Sequence, residues 1–200
     1  MAELSKATTA FVVGNGESRS GYELEQLRDH GPIFGCNALY RDFEPDVLTV
    51  LDHGMMTEVK QAYGGKLARF DKKGKLAIFD EQIQEFKVPR GGWYTGIAAL
   101  WFASNLCPKL RRVFMIGFDL YDSRENNIYK GTLNYERMGI NNGIQNESFK
   151  NFVFEPFPKI KYYRVGEVLD HFPTDWRDLK NIKFISYQEL SKALKKKKKN

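Results

Sequence analysis

Four apolar stretches of this chain end in, and a fifth opens on, residues that can hold or act on a polar ligand. Phe11-Val12-Val13 runs into Gly14-Asn15-Gly16-Glu17-Ser18, and "FGCNALY" sets Asn37 just past an apolar run. "DVLTVLDH" ends in Asp52-His53, "WYTGIAAL" opens on Thr95-Gly96, and "RRVFMIGFD" closes on Asp119. Glycines let the backbone turn sharply and bring N–H groups near a phosphate, and the start of a following helix adds a favourable dipole. Asn15 and Asn37 carry amides that both donate and accept, while the Ser18 and Thr95 hydroxyls are further donors. Asp52 can grip a ribose hydroxyl or a base amine, or cap the next helix, and His53 beside it is a candidate base.

Known phosphate motifs narrow the choice. No Gly-Lys-Ser/Thr follows the glycines, so the segment is not a P-loop; Arg19 stands where the third glycine of G-x-G-x-x-G belongs, so it is not the dinucleotide fingerprint. What remains is a generic anion or nucleotide loop, or an ordinary strand-to-helix turn. Asn37 can equally cap its own turn. Asp119 and Asp122 are spaced more loosely than the tight acidic pair of a nucleotide-sugar metal site, so no metal and no cofactor is expected.

The elements that must position these residues alternate. Residues 9–13, 32–36, 46–51, 112–116, 160–164 and 182–186 read as strands; residues 22–28, 55–63 and 96–106 read as helices, the last opened by Thr95 as N-cap and closed by Pro108. Residues 64–86 carry short alternating pieces and turn residues, the pattern of a hairpin excursion. Ser186 with Glu189 predicts a capping box for a final helix. Residues 123–157 lack sustained periodicity and are expected to form a lid. The fold class is therefore α/β: one Rossmann-like domain, a mostly parallel sheet with helices on both faces, spanning residues 1–194 and followed by a basic tail at 195–200. In such a sheet ligands lie outside the carboxyl ends of the strands, along the edge where Asn15, Asn37, Asp52, Thr95 and Asp119 are expected to gather.

Bulk properties fit one globular unit: 200 residues, 42% hydrophobic and 14% aromatic. No apolar run reaches the roughly 18 residues of a membrane span, and the N-terminus lacks a signal-peptide core, so a cytoplasmic location is expected. Cys36 and Cys107 sit among apolar neighbours and read as core. Five consecutive lysines, Lys195 to Lys199, supply most of the net charge of +6, which leaves the body near neutral. That tail and "KKGK" at residues 72–75 raise nucleic acid as a partner, but no aromatic-basic interleaving marks a binding groove.

In order and spacing, "VVGNGESRS", "FGCNALY", "WYTGIAALWFASNL" and "RRVFMIGFDLYD" resemble the bacterial lipooligosaccharide sialyltransferases over about three quarters of the chain. "EPDVLTVLD" adds a looser similarity to the domain shared by motility-associated glycosyltransferases and an archaeal pterin pyrophosphokinase. The resemblance implies a Rossmann-like, metal-free enzyme that transfers a sugar from a CMP donor to a glycan or other hydroxyl acceptor. It further implies that Asn15, Gly16 and Asn37 contact the donor nucleotide, that Thr95 and Gly96 contact the donor, and that Asp52 stands where the family has a further asparagine. Two lid tyrosines that donate to the departing phosphate match Tyr121 and Tyr129, aiming donors at developing negative charge. The family's basic histidine has no counterpart. Asp119, Glu147 or His171 takes that role, or the acceptor differs, or the chain is a non-catalytic nucleotide- or phosphoester-binding module.

Overall fold

The computed structural model describes residues 2–119, 127–136, 144–167 and 173–197. Nine strands form one sheet: β1 (Thr9–Val13), β2 (Ile33–Cys36), β3 (Val47–Thr49), β4 (Leu67–Phe70), β5 (Leu76–Phe79), β6 (Gln82–Lys87), β7 (Arg112–Ile116), β8 (Lys161–Val165) and β9 (Ile182–Ile185). Their order is β6-β5-β4-β3-β2-β1-β7-β8-β9. All pairings are parallel except β4 with β5 and β5 with β6. The expected hairpin excursion is thus part of the sheet: β4 pairs in parallel with β3, and the chain then turns back twice. Its first turn is fixed by Asp71, whose Oδ1 accepts from the Lys75 and Leu76 N–H groups at 2.6 and 2.9 Å.

After Thr9, β1 is apolar, and every residue of the strand is buried, as befits a strand covered on both faces. Strand alternation sorts its side chains into two cores. Ala10 and Val12 join Phe34, Val113, Met115 and Tyr162 under α3 (Thr95–Leu106). Phe11 and Val13 join Leu27, Leu39, Phe114 and Ile116 on the opposite face, under α2 (His53–Ala62) and α5 (Tyr187–Lys197). α3 is apolar nearly all round because its outer side is covered too, by Phe149, Val153 and Phe154. A short α1 (Ala2–Lys6) precedes the sheet. Among the described residues no helix is long and apolar enough to cross a membrane.

Three sequence expectations change. The helix expected at 22–28 is a 3-10 turn, Leu24–His30, whose sheet-facing residues Leu24, Leu27 and His30 recur every third position, matching three residues per turn. Thr95 does not cap α3: the cap position is Tyr94, with no side-chain bond, because the Thr95 hydroxyl is turned to Asp52. The stretch expected to be a lid is in part core. α4 (Ile144–Phe149) runs into a π turn, Lys150–Phe154, and Phe154 packs on Tyr162 and Trp176 with ring centroids 5.1 and 4.8 Å apart. The wider π turn breaks the 3.6-residue repeat, which hid the helix from a periodicity search. The capping box is as expected, with Glu189 accepting from the Ser186 N–H at 2.8 Å and the Glu189 N–H donating to Ser186 Oγ at 3.2 Å.

Phe114 lies between Phe11 and Tyr163, centroids 5.5 and 5.1 Å away, at the middle of the second core. Phe114→Ala is expected to cost about 3–5 kcal/mol of unfolding free energy in urea titration; a loss below about 1 kcal/mol would place the core elsewhere.

Candidate functional site

The order of the strands reverses at β1, whose successor β2 lies on one side and whose other neighbour, β7, enters after the β4–β6 excursion. This is the switch point at which open α/β sheets form a crevice. Here the loops leaving β1 and β7 stay in register beyond the strands: Gly14 N–H donates to Ile116 O at 2.8 Å and Gly16 N–H to Gly117 O at 2.9 Å. A Cβ on Gly14 would lie 2.5 Å from the Gly117 carbonyl oxygen, and one on Gly16 would lie 2.4 Å from the Asp119 carboxyl carbon. The glycines are therefore required by a protein neighbour. The Ser18 N–H donates to Asp119 Oδ2 at 2.9 Å and the Ser18 hydroxyl donates to Oδ1. An internal carboxylate thus takes the Ser18 donors that the loop was expected to offer to a phosphate.

The other half of the edge is built differently. Asn15 is 9% exposed, and its Nδ2 donates across to the Cys36 carbonyl and to the Tyr135 hydroxyl, both at 3.1 Å. Asn37 follows Cys36 at φ 48°, a left-handed conformation that asparagine tolerates. That turn aims its Nδ2 at Asp52 Oδ2, 3.0 Å away, and the same oxygen accepts from the Thr95 hydroxyl at 3.3 Å. A carbonyl and a carboxylate only accept, so both amide orientations are fixed by their partners. Asn15 Oδ1 and Asn37 Oδ1 are left buried with no hydrogen-bond partner among the described residues. The ends of β1, β2 and β3 and the start of α3 therefore meet on one edge through Asn15, Asn37, Asp52 and Thr95. Gly96, expected to contact a donor, lets α3 close on the Phe118 ring, 3.0 Å from where its Cβ would stand.

Tyr121 and His171 lie outside the described residues. Tyr129 is buried; its hydroxyl donates to Asp42 and accepts from Arg19 Nη2 at 2.9 Å. With its one proton given to Asp42, this tyrosine is a buttress in this structure and not a free donor to a leaving phosphate; burial pushes its hydroxyl pKa up. Among the described residues Tyr135, which the sequence reading missed, reaches the edge through its bond from Asn15. Arg19, which disqualified the glycine fingerprint, also carries structure: Nε donates to Gly14 O at 3.0 Å and Nη1 pairs with Asp42 at 3.3 Å. Ile128 N–H donates to Asn15 O at 2.9 Å, so residues 127–135 are laced to the β1 loop. His53, the first residue of α2, is exposed. Cys36 and Cys107 are buried, and burial raises both thiols to about 12, which makes them inert core groups.

Tyr135 is delivered by a charged clasp. Arg41 Nη1 and Nη2 donate to Thr132 Oγ1 and Leu133 O at 2.7 and 2.9 Å, while Glu58 on α2 accepts from Arg41 Nε at 2.8 Å and from Asn134 Nδ2 at 2.7 Å. Among the described residues no three His, Cys, Asp or Glu side chains gather to hold a metal ion. No protein-family model, no characterised protein and no solved structure matches the chain.

Burial pushes the Glu58 carboxyl up, but hydrogen bonds from Tyr40, Arg41 and Asn134 and the Arg41 charge outweigh it and hold the group below the ordinary glutamate range. A depressed carboxyl adds stability that is fully present above its unfolded pKa of about 4.3 and is lost as pH falls through the folded value. Unfolding free energy is therefore expected to drop below about pH 4.5, with Glu58→Gln flattening part of that slope. Equal acid slopes for the two proteins would mean that the clasp is not ionic.

Proposed function

We propose that this chain is a nucleotide-sugar-dependent glycosyltransferase whose donor nucleoside lies along the edge formed by Asn15, Asn37, Asp52 and Thr95. The observation that carries this reading is the pair of buried amide oxygens, Asn15 Oδ1 and Asn37 Oδ1, left without partners among the described residues beside the switch point. A buried acceptor without a donor costs about 1–3 kcal/mol, which a ligand N–H or O–H would recover. Ribose hydroxyls and the exocyclic amine of cytosine supply such donors. The Asp52 carboxylate accepts from the same groups and repels phosphate.

Transfer joins the acceptor hydroxyl oxygen to the anomeric carbon as the bond from that carbon to the nucleotide phosphate oxygen breaks. The electron pair leaves on the phosphate, and the hydroxyl proton goes to a base. His53, exposed beside Asp52, is the described imidazole on this edge and is assigned that role within the proposal. Asp119, engaged twice by Ser18, is instead a structural anion.

The occupied state of Asp119 and of the Tyr129 hydroxyl favours a second reading, a nucleotide-binding module without catalysis. Slow hydrolysis of CMP-sialic acid or another nucleotide sugar by the purified chain, without acceptor, separates the two. Calorimetry with CMP, UMP, GMP and AMP tests the site itself. At least one is expected to bind with Kd of about 1 mM or tighter, and Asn37→Gly, which keeps the left-handed backbone but removes the amide, is expected to weaken it about tenfold. Absence of any binding at millimolar concentration defeats the proposal.

A further inference from the structure

Between α2 and the β4–β5 turn lies a cavity of about 650 Å³, on the carboxyl edge of the sheet. Leu51 and His53, the two neighbours of Asp52, line its rim, so it adjoins the edge assigned to the donor. Lys60 comes from α2, Arg69 from β4 and Lys72 from the turn. Asp71 is the acidic residue in the wall, and its Oδ1 is spent on the Lys75 and Leu76 N–H groups, which hold that carboxyl below the usual range. Arg69 gives Nη2 to the exposed Glu81 at 2.8 Å, but its buried Nε has no hydrogen-bond partner among the described residues. Lys60 and Lys72 make no ion pair among the described residues. Three cations thus surround a space whose acids are either committed to a turn or paired at the surface.

The cavity is not purely polar. Val50, Met56 and Phe70 contribute apolar wall, and Phe70 is held rigid by rings of Trp93, Trp101 and Phe102 at 5.0, 5.8 and 5.4 Å. An apolar flank with cations at one side matches a sugar ring that carries an anionic substituent. The volume exceeds what a bare phosphate needs. A second cavity, of about 470 Å³, opens on the opposite, amino edge of the sheet, where its Arg28 is already paired with Glu25 and donates to Glu44 O.

We infer that the cavity between α2 and the β4–β5 turn is the acceptor subsite and takes a sugar bearing a phosphate or a carboxylate. This inference rests on the glycosyltransferase reading for the word acceptor, but the anionic-sugar site stands or falls on its own test. Full-length protein is titrated by calorimetry with glucose, glucose 6-phosphate, glucuronate and inorganic phosphate, and separately with CMP. Glucose 6-phosphate, glucuronate or both are expected to bind at least about tenfold more tightly than glucose and than inorganic phosphate; which of them does so identifies the anionic group. Lys60→Glu combined with Lys72→Glu, both at exposed positions, is expected to weaken that binding about tenfold or more while leaving the thermal midpoint and the CMP affinity in place. Equal binding of glucose, equal binding of bare phosphate, unchanged affinity in the double variant, or no sugar binding at about 10 mM each overturns the subsite. Sugar-phosphate binding that responds to the lysines in a protein that binds no nucleotide would leave the anionic-sugar site intact and remove the transferase reading.

Discussion

The loops leaving β1 and β7 run so close together that neither accommodates a side chain where they meet. A Cβ on Gly14 would lie 2.5 Å from Gly117 O, and one on Gly117 would lie 2.8 Å from Gly14 O. Gly117 also sits at φ 69°, in the left-handed region that favours glycine. This approach extends the ladder beyond the sheet and sets where everything else on the edge can stand. Arg19 reaches back to Gly14 O and out to Tyr129 and Asp42; Ile128 bonds to Asn15 O; and Tyr187 on α5 donates to Ser18 O at 2.9 Å. A change of spacing between the two loops would move all of these partners together.

The same constraint divides the carboxyl edge into two electrostatic halves. Near β7, Asp119 satisfies the Ser18 N–H and hydroxyl, so that half is closed by the protein's own anion. Near β2, β3 and α3, donors converge on Asp52 while two amide oxygens find no partner among the described residues. Folded proteins pair the great majority of buried polar atoms. The exceptions on Asn15 and Asn37, both asparagines held in fixed orientation along one edge, mark a place where a ligand with donors gains.

Those parts of the sequence whose structure is local were legible. β1 and β7 have the bounds expected of them, 9–13 and 112–116, and Ser186 with Glu189 forms the expected capping box because both partners lie within one turn. The strand-end residues were identifiable because a parallel sheet sends them to one edge. What escaped were partners fixed only by folding. Nothing in "GNGES" says that its serine meets an aspartate 101 residues away, and nothing in "LNYER" says that Tyr135 meets an asparagine 120 residues away. Arg19 read as a flaw in a glycine motif, yet a buried arginine in place of a third glycine was the signal that the loop serves the fold. The π turn at Lys150–Phe154 hid a core helix inside a stretch without a 3.6-residue repeat.

Titration of uniformly 15N-labelled protein with CMP, followed through backbone and asparagine side-chain amide resonances, reports most directly on the ligand edge. Shifts that saturate together at Asn15, Asn37, Asp52, Thr95 and Gly96, with the Asn15 and Asn37 Nδ2 signals among the largest, are the result expected from the two unsatisfied amide oxygens. Shifts that cluster instead at the amino-edge cavity around Arg28 and Lys66, or that are absent at millimolar nucleotide, would contradict it.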